Sequence, residues 1–104
     1  MAEDTRGVFA ISVAAEMVSM QVQNLRVYER RGLVDPDRTP GGTRLYSPAD
    51  IARLNRVREL LAEGLNLAGI ARVLALEEEM RRLRAALSAA RGGSGTGRRP
   101  TPRA

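Results

Sequence analysis

The sequence contains no cysteine, histidine, lysine or tryptophan among its 104 residues, and aromatics make up only 3% of it. Missing cysteine excludes disulfides, thiolate metal sites and thiol redox switching. Missing histidine removes the commonest general base and the commonest metal ligand. Catalysis would fall to carboxylates, Ser, Tyr or Arg, so the expectation is a non-enzyme with no metal and no cofactor. No apolar run approaches the roughly 18 residues of a membrane-spanning helix. The opening MAEDTRG lacks a signal peptide's basic end and apolar stretch, so a cytoplasmic, nucleoid-associated protein is expected. With few aromatics, the 43% of hydrophobic residues must build a thin aliphatic core. Chains of this size often add oligomerisation to such a core.

What is present is positive charge. Lys and Arg together number 17 against 12 acidic residues, for a net charge of +5, and all of the basic residues are arginine. A GC-rich genome would account for arginine in place of lysine, but not for the excess. Arginine pairs bidentately with phosphate and stays charged, which points to a polyanionic partner.

Residues 1–8 read as a flexible arm. Ser12 to Val18 reads as a short helix capped by Ser12, packing through Ala14, Ala15, Met17 and Val18. Ser19 and Met20 make a tight connection to a second helix, QVQNLRVYERRGL, which Gly32 ends. Pro36, Pro40, Gly41 and Gly42 then forbid a helix. Gly-Gly between short flanks suits a hairpin whose returning strand is Arg44, Leu45 and Tyr46. Ser47 with Pro48 and Asp50 forms a capping box that opens a helix carrying Ile51, Leu54, Val57, Leu60 and Leu61 up to Gly64. Asn66 caps a further short helix. From Val73 the apolar positions Val73, Leu76, Met80, Leu83 and Leu87 step by threes and fours, a coiled-coil seam. The order of Glu77, Glu78 and Glu79 before Arg81, Arg82 and Arg84 favours that helix. Residues 92–104, rich in Gly, Pro and Arg, read as a disordered basic tail that acts as a diffuse phosphate ligand.

On a helical wheel, Gln23, Arg26 and Arg30 share one face with Val27, away from Val22 and Leu25. Glu29 falls beside Val22 on the buried side. A solvated surface is the commonest fate of such a face. Context points elsewhere: a short Ala-rich helix, a tight turn and a second helix bearing Arg and amides is a helix-turn-helix arrangement. Amides can read adenine edges, Arg reads guanine or holds phosphate, and Val touches a thymine methyl. A hairpin bearing Arg38, Arg44 and Tyr46 would reach the flanking backbone. Double-stranded DNA is therefore the expected partner.

The stretch ISVAAEMVSMQVQNLRVYERRGLVDPDRTPGGTRLYSPADIARL resembles the winged helix-turn-helix of the MerR family. The likeness continues through EGLNLAGIARVLAL and covers residues 9 to about 87. Within the family, MQVQNLRVYERRGLV, RTPGGTRLYS and GLNLAGI are most similar to the heat-shock repressor branch, which represses chaperone operons with Hsp70 as co-repressor. The resemblance implies that Arg26 makes the main helix contact, that Tyr28 meets the phosphate backbone, and that Arg44 and Tyr46 serve the wing. Gln23, Asn24 and Arg38 are further contacts in this reading. Val27 stands where a tyrosine is frequent, Gln21 where a better N-cap is common and Asn24 where Thr is usual, so the half-site read would differ from a relative's. Direct metal or drug sensing, which relatives perform through cysteines or a large C-terminal domain, is not expected.

These readings converge on a mainly α, winged helix-turn-helix fold with a small β-hairpin wing and a C-terminal dimerisation helix. Its parts are an arm (1–8), a DNA-binding domain (9–72), a coiled-coil helix (73–91) and the tail (92–104). The leading function is a homodimeric repressor of heat-shock genes on inverted-repeat operators, with an Hsp70-type chaperone as co-repressor. Two alternatives stay open: a developmental or architectural DNA-binding regulator without a chaperone, and a coiled-coil adaptor whose arginines are merely solvated.

Overall fold

Local closures decide where this chain turns. In the computed structural model, which describes residues 2–95, helix α1 covers Ile11–Met17 and α2 covers Val22–Arg30. The α1 N-cap is Ala10, whose extended backbone starts the helix without a side-chain hydrogen bond. Ser12, expected as that cap, instead lies exposed inside the helix. Ala14, Ala15 and Val18 are buried, but Met17, expected to pack with them, is 47% exposed. The turn into α2 is closed by Ser19 N–H to Glu16 O at 3.2 Å and Met20 N–H to Ala15 O at 3.0 Å. That double closure requires a left-handed residue, and Ser19 supplies it at φ 55°. The same motif ends α2 at Gly32 and, further on, α3 at Gly64, where glycine adopts the conformation without strain.

Strand β1 (Asp37–Arg38) pairs antiparallel with β2 (Arg44–Leu45), Asp37 opposite Leu45 and Arg38 opposite Arg44. Between them the chain reverses through Gly42 N–H to Thr39 O at 2.8 Å and Thr39 N–H to Thr43 O at 2.9 Å. Helix α3 (Pro48–Ala62) opens on the expected capping box, with Ser47 and Asp50 each accepting the other's backbone N–H. Ile51, Leu54, Val57 and Leu60 form its buried stripe. Together with Leu25, Leu33 and Tyr46 they make up much of a core that is aliphatic apart from its tyrosines.

The first residues are not a free arm. A 3-10 turn at Ala2–Thr5 packs against α3. Gly7 N–H then donates to Asp37 Oδ2 at 2.8 Å. Val8 N–H and Phe9 N–H both donate to Tyr46 O, at 3.0 and 2.9 Å, and Tyr46 N–H returns a bond to Phe9 O at 2.7 Å. This strap extends the wing by a bridge to a third backbone segment. A short hairpin of this kind is marginal by itself, and the strap satisfies edge groups that would otherwise stay open. The approach is so close that a Cβ at Gly7 would collide with the Leu45 carbonyl oxygen and lie 2.9 Å from Asp37 Cβ.

Helix α4 runs from Leu67 to Gly95. Asn66 Oδ1 accepts the Gly69 N–H at 2.8 Å, the cap expected of it. The short helix expected after Asn66, carrying Leu67, Ile70, Val73 and Leu74, does not stop there but continues as one helix with the seam, because Ala, Leu, Glu and Arg continue helical propensity without a breaker. The helix also passes Gly92, where the tail was expected to begin; residues 96–104 of that tail lie outside the described residues. The chain forms two compact units, one ending at Ala71 and the other beginning at Arg72. Among the described residues, no helix is long and apolar enough to cross a membrane.

Candidate nucleic-acid interface

Helix α2 buries Leu25 and Tyr28, which fixes the face it turns outward. Gln23, Asn24, Arg26 and Arg30 are exposed there, with Val27 half-buried beside them. The burial of Tyr28 moves the inward side past the Val22–Leu25 centre that the wheel gave. The N-cap Gln21 makes no side-chain hydrogen bond, in keeping with its poor capping chemistry.

The wing meets this helix through a residue that sequence reasoning left aside. Glu29, in the last turn of α2, receives Arg44 Nε on Oε1 at 2.5 Å and Arg38 Nη2 on Oε2 at 2.8 Å. Arg38 Nη1 also donates to the Gly42 carbonyl at 2.9 Å, tying the guanidinium to its own turn. Burial alone would raise the Glu29 carboxyl, but the hydrogen bonds and charges of Arg44 and Arg38 outweigh it and hold its pKa below the ordinary value. The same pairing raises Arg44. A signal was present in the sequence: the wheel put a carboxylate on the buried side, near a helix C-terminus where the dipole disfavours negative charge. Such a residue requires cationic partners, and the sequence alone did not say which.

The two tyrosines differ from expectation. Tyr46 is 0% exposed, so it belongs to the core and leaves no surface open for the wing role expected of it. Its hydroxyl is buried without a hydrogen-bond partner among the described residues. Tyr28 is 6% exposed, leaving little of its surface for a phosphate. Desolvation pushes both phenols above their ordinary pKa, so they remain neutral. Arg53 was also overlooked; its Nε donates to the Leu33 carbonyl and pins α3 to the segment that leaves α2.

In the second unit, the seam residues stand open. Leu76, Met80, Leu83 and Leu87 are 59%, 46%, 61% and 53% exposed, and Val73 is half-buried. Beside them Glu78 pairs with Arg81 at 2.5 Å and Glu79 with Arg82 at 2.6 Å. These exposed pairs contribute little stability but leave the apolar seam free of charge. No group of His, Cys, Asp or Glu among the described residues could hold a metal ion.

Residues 9–77 match the family model described as MerR HTH family regulatory protein. A Streptomyces coelicolor protein assigned as the heat shock protein HspR is 47% identical over 103 residues, covering 95% of this chain and 68% of its own length. The HTH-type transcriptional regulator GlnR of Bacillus cereus is 39% identical over 80 residues, and the match spans 75% of this chain but only 62% of GlnR. Among solved structures, HiNmlR, a MerR family regulator lacking the sensor domain and bound to promoter DNA, superposes with a TM-score of 0.58 at 19% identity. That alignment covers 80% of this chain and 75% of HiNmlR, a likeness of fold.

Proposed function

Since the chain belongs to the MerR family of helix-turn-helix regulatory proteins and is an HspR-like, DNA-binding transcriptional regulator, we propose that it acts as a homodimeric repressor of chaperone genes on inverted-repeat operators. The observation that carries the reading is the outward face of α2, with Gln23, Asn24, Arg26 and Arg30 exposed together beside a wing tied to the same helix. In a major groove, Arg26 would read guanine while Gln23 and Asn24 take adenine edges. Arg44, Arg38 and Arg30 are assigned to phosphates, which position the protein without carrying sequence information. Tyr28 keeps a marginal phosphate role through what remains exposed of it. Catalysis is no part of this reading.

The exposed seam of α4 supports a dimer, because an open row of Leu76, Met80, Leu83 and Leu87 needs an apolar partner. Two-fold symmetry would then call for an inverted repeat. Likeness to an HspR supports regulation by heat shock, and an Hsp70-type chaperone is the proposed co-repressor. It is tested by operator affinity at fixed temperature with and without purified chaperone.

The test of the DNA reading is Arg26→Ala, assayed against a duplex that the wild-type protein selects from a randomised pool and against bulk competitor DNA. Loss of one base-reading arginine should cost about 1–3 kcal/mol of specific binding and leave nonspecific binding nearly intact. An unchanged specific-to-nonspecific ratio overturns α2 as the reader.

A further inference from the structure

We infer that Glu29 is a positioning residue for DNA recognition, holding the wing arginines so that Arg44 offers its terminal nitrogens to a phosphate. The inference rests on the proposed docking of α2 and the wing.

An arginine carries five N–H donors in a rigid planar fork. Arg44 spends its Nε on Glu29 Oε1 at 2.5 Å, and neither terminal nitrogen makes a hydrogen bond among the described residues. A planar group held at Nε has its far edge aimed away from the anchor, and that edge carries two parallel N–H vectors suited to bidentate phosphate binding. Arg38 differs. Its two terminal nitrogens go to Glu29 and to the Gly42 carbonyl, so it braces the turn and keeps fewer donors for DNA. One carboxylate thus sorts two arginines into different tasks.

Exposure separates the carboxylate from both of its partners. The side chain of Glu29 is 18% exposed, that of Arg44 25% and that of Arg38 46%. Glu29 is therefore shielded while both of its partners stay open to a ligand. Because the carboxylate sits on α2 and the arginines flank the wing turn, the contacts fix the reading helix and the phosphate-binding wing relative to one another. Preorganisation of this kind removes an ordering cost that a loose arginine would meet on binding.

A test can exploit opposing signs. Removing a negative charge beside a polyanion should strengthen binding to every duplex if only long-range electrostatics mattered. Loss of a positioning contact should weaken it. For Glu29→Gln we expect about a tenfold loss of affinity for the selected duplex, the scale of a charged hydrogen bond. In an Arg44→Ala background the same substitution should have little further effect, because its intermediary is gone. Thermal melts of each variant separate folding from binding, and Glu29→Asp supplies a charge-retaining variant that should recover part of the affinity if it remains folded. Equal or tighter binding by Glu29→Gln overturns the inference, as does an undiminished effect in the Arg44→Ala background. Arg26→Ala, measured alongside, tells the failures apart: if Arg26→Ala loses specificity while Glu29→Gln does not, the docking reading stands and only the positioning role falls.

Discussion

Replacing Tyr46 by Phe should stabilise the protein. Tyr46 is 0% exposed and its hydroxyl has no hydrogen-bond partner among the described residues. An unmet buried polar group costs about 1–3 kcal/mol, and phenylalanine keeps the ring while removing that group. The space left by one oxygen forfeits some dispersion contact, so a net gain of about 1–2 kcal/mol is expected. In a domain of this size each kilocalorie moves Tm by about 4–8 °C, well within reach of a thermal melt followed by circular dichroism. The substitution also carries a pH signature. Burial, with a smaller contribution from the Glu29 charge, raises the Tyr46 pKa above its ordinary 10.0. Below pH 10 both folded and unfolded chains hold the proton, and the tyrosine adds no slope. As pH rises further, the unfolded phenol ionises first and stability falls until the folded pKa is passed. Tyr46→Phe should blunt that alkaline loss, leaving the share contributed by Tyr28. DNA affinity at neutral pH should not change. A lower Tm would show that the hydroxyl has a partner such as a buried water. A folded variant with weakened DNA binding would return Tyr46 to the interface and refute its place in the core.

Gly7→Ala should dislodge the strap, because the new methyl would clash with the Leu45 carbonyl oxygen. Losing the bonds from Gly7, Val8 and Phe9 should lower the urea midpoint by an amount worth about 1–3 kcal/mol, and an unchanged midpoint would show that the strap contributes nothing. Leu83→Arg places a charge in the seam, where Leu83 is 61% exposed, so the variant should sediment as a monomer with its melting behaviour otherwise retained. A dimer that survives this change would place the interface elsewhere.

The parts of the fold legible in the sequence were those whose determinants lie within one helical turn. Ser47, Pro48 and Asp50 announce the start of α3 because cap and box involve neighbouring atoms, and Gly32 and Gly64 announce ends because the left-handed residue closes its own helix. The exposed face of α2 was legible for a similar reason, since a single periodicity sets it. Tyr46 was not. It bridges to Phe9 in the strap, a pairing across the chain that no local pattern carries. Glu29 was half legible: its angle on the wheel was correct, but its partners come from a hairpin whose register the sequence left open. Ser12 misled because a serine before an apolar run resembles a cap even where an extended alanine begins the helix.

The pairing of Phe9 with Tyr46 has a consequence for the order of folding. The helix ends at Ser19, Gly32 and Gly64 close over neighbouring residues and can form as soon as each stretch of chain exists. The strap cannot. It is made before α1 and α2, yet Asp37, Leu45 and Tyr46, the groups it meets, are made only after them. Loop closure over that span must precede any reward, so the strap settles later than the helix ends that follow it in the chain. Unfolding reverses the order. The strap is a peripheral segment held by a handful of backbone bonds, and such segments open at lower free energy than the core. Amide exchange at Val8 and Phe9 will therefore report the first opening of the wing, ahead of any loss of the helices behind it.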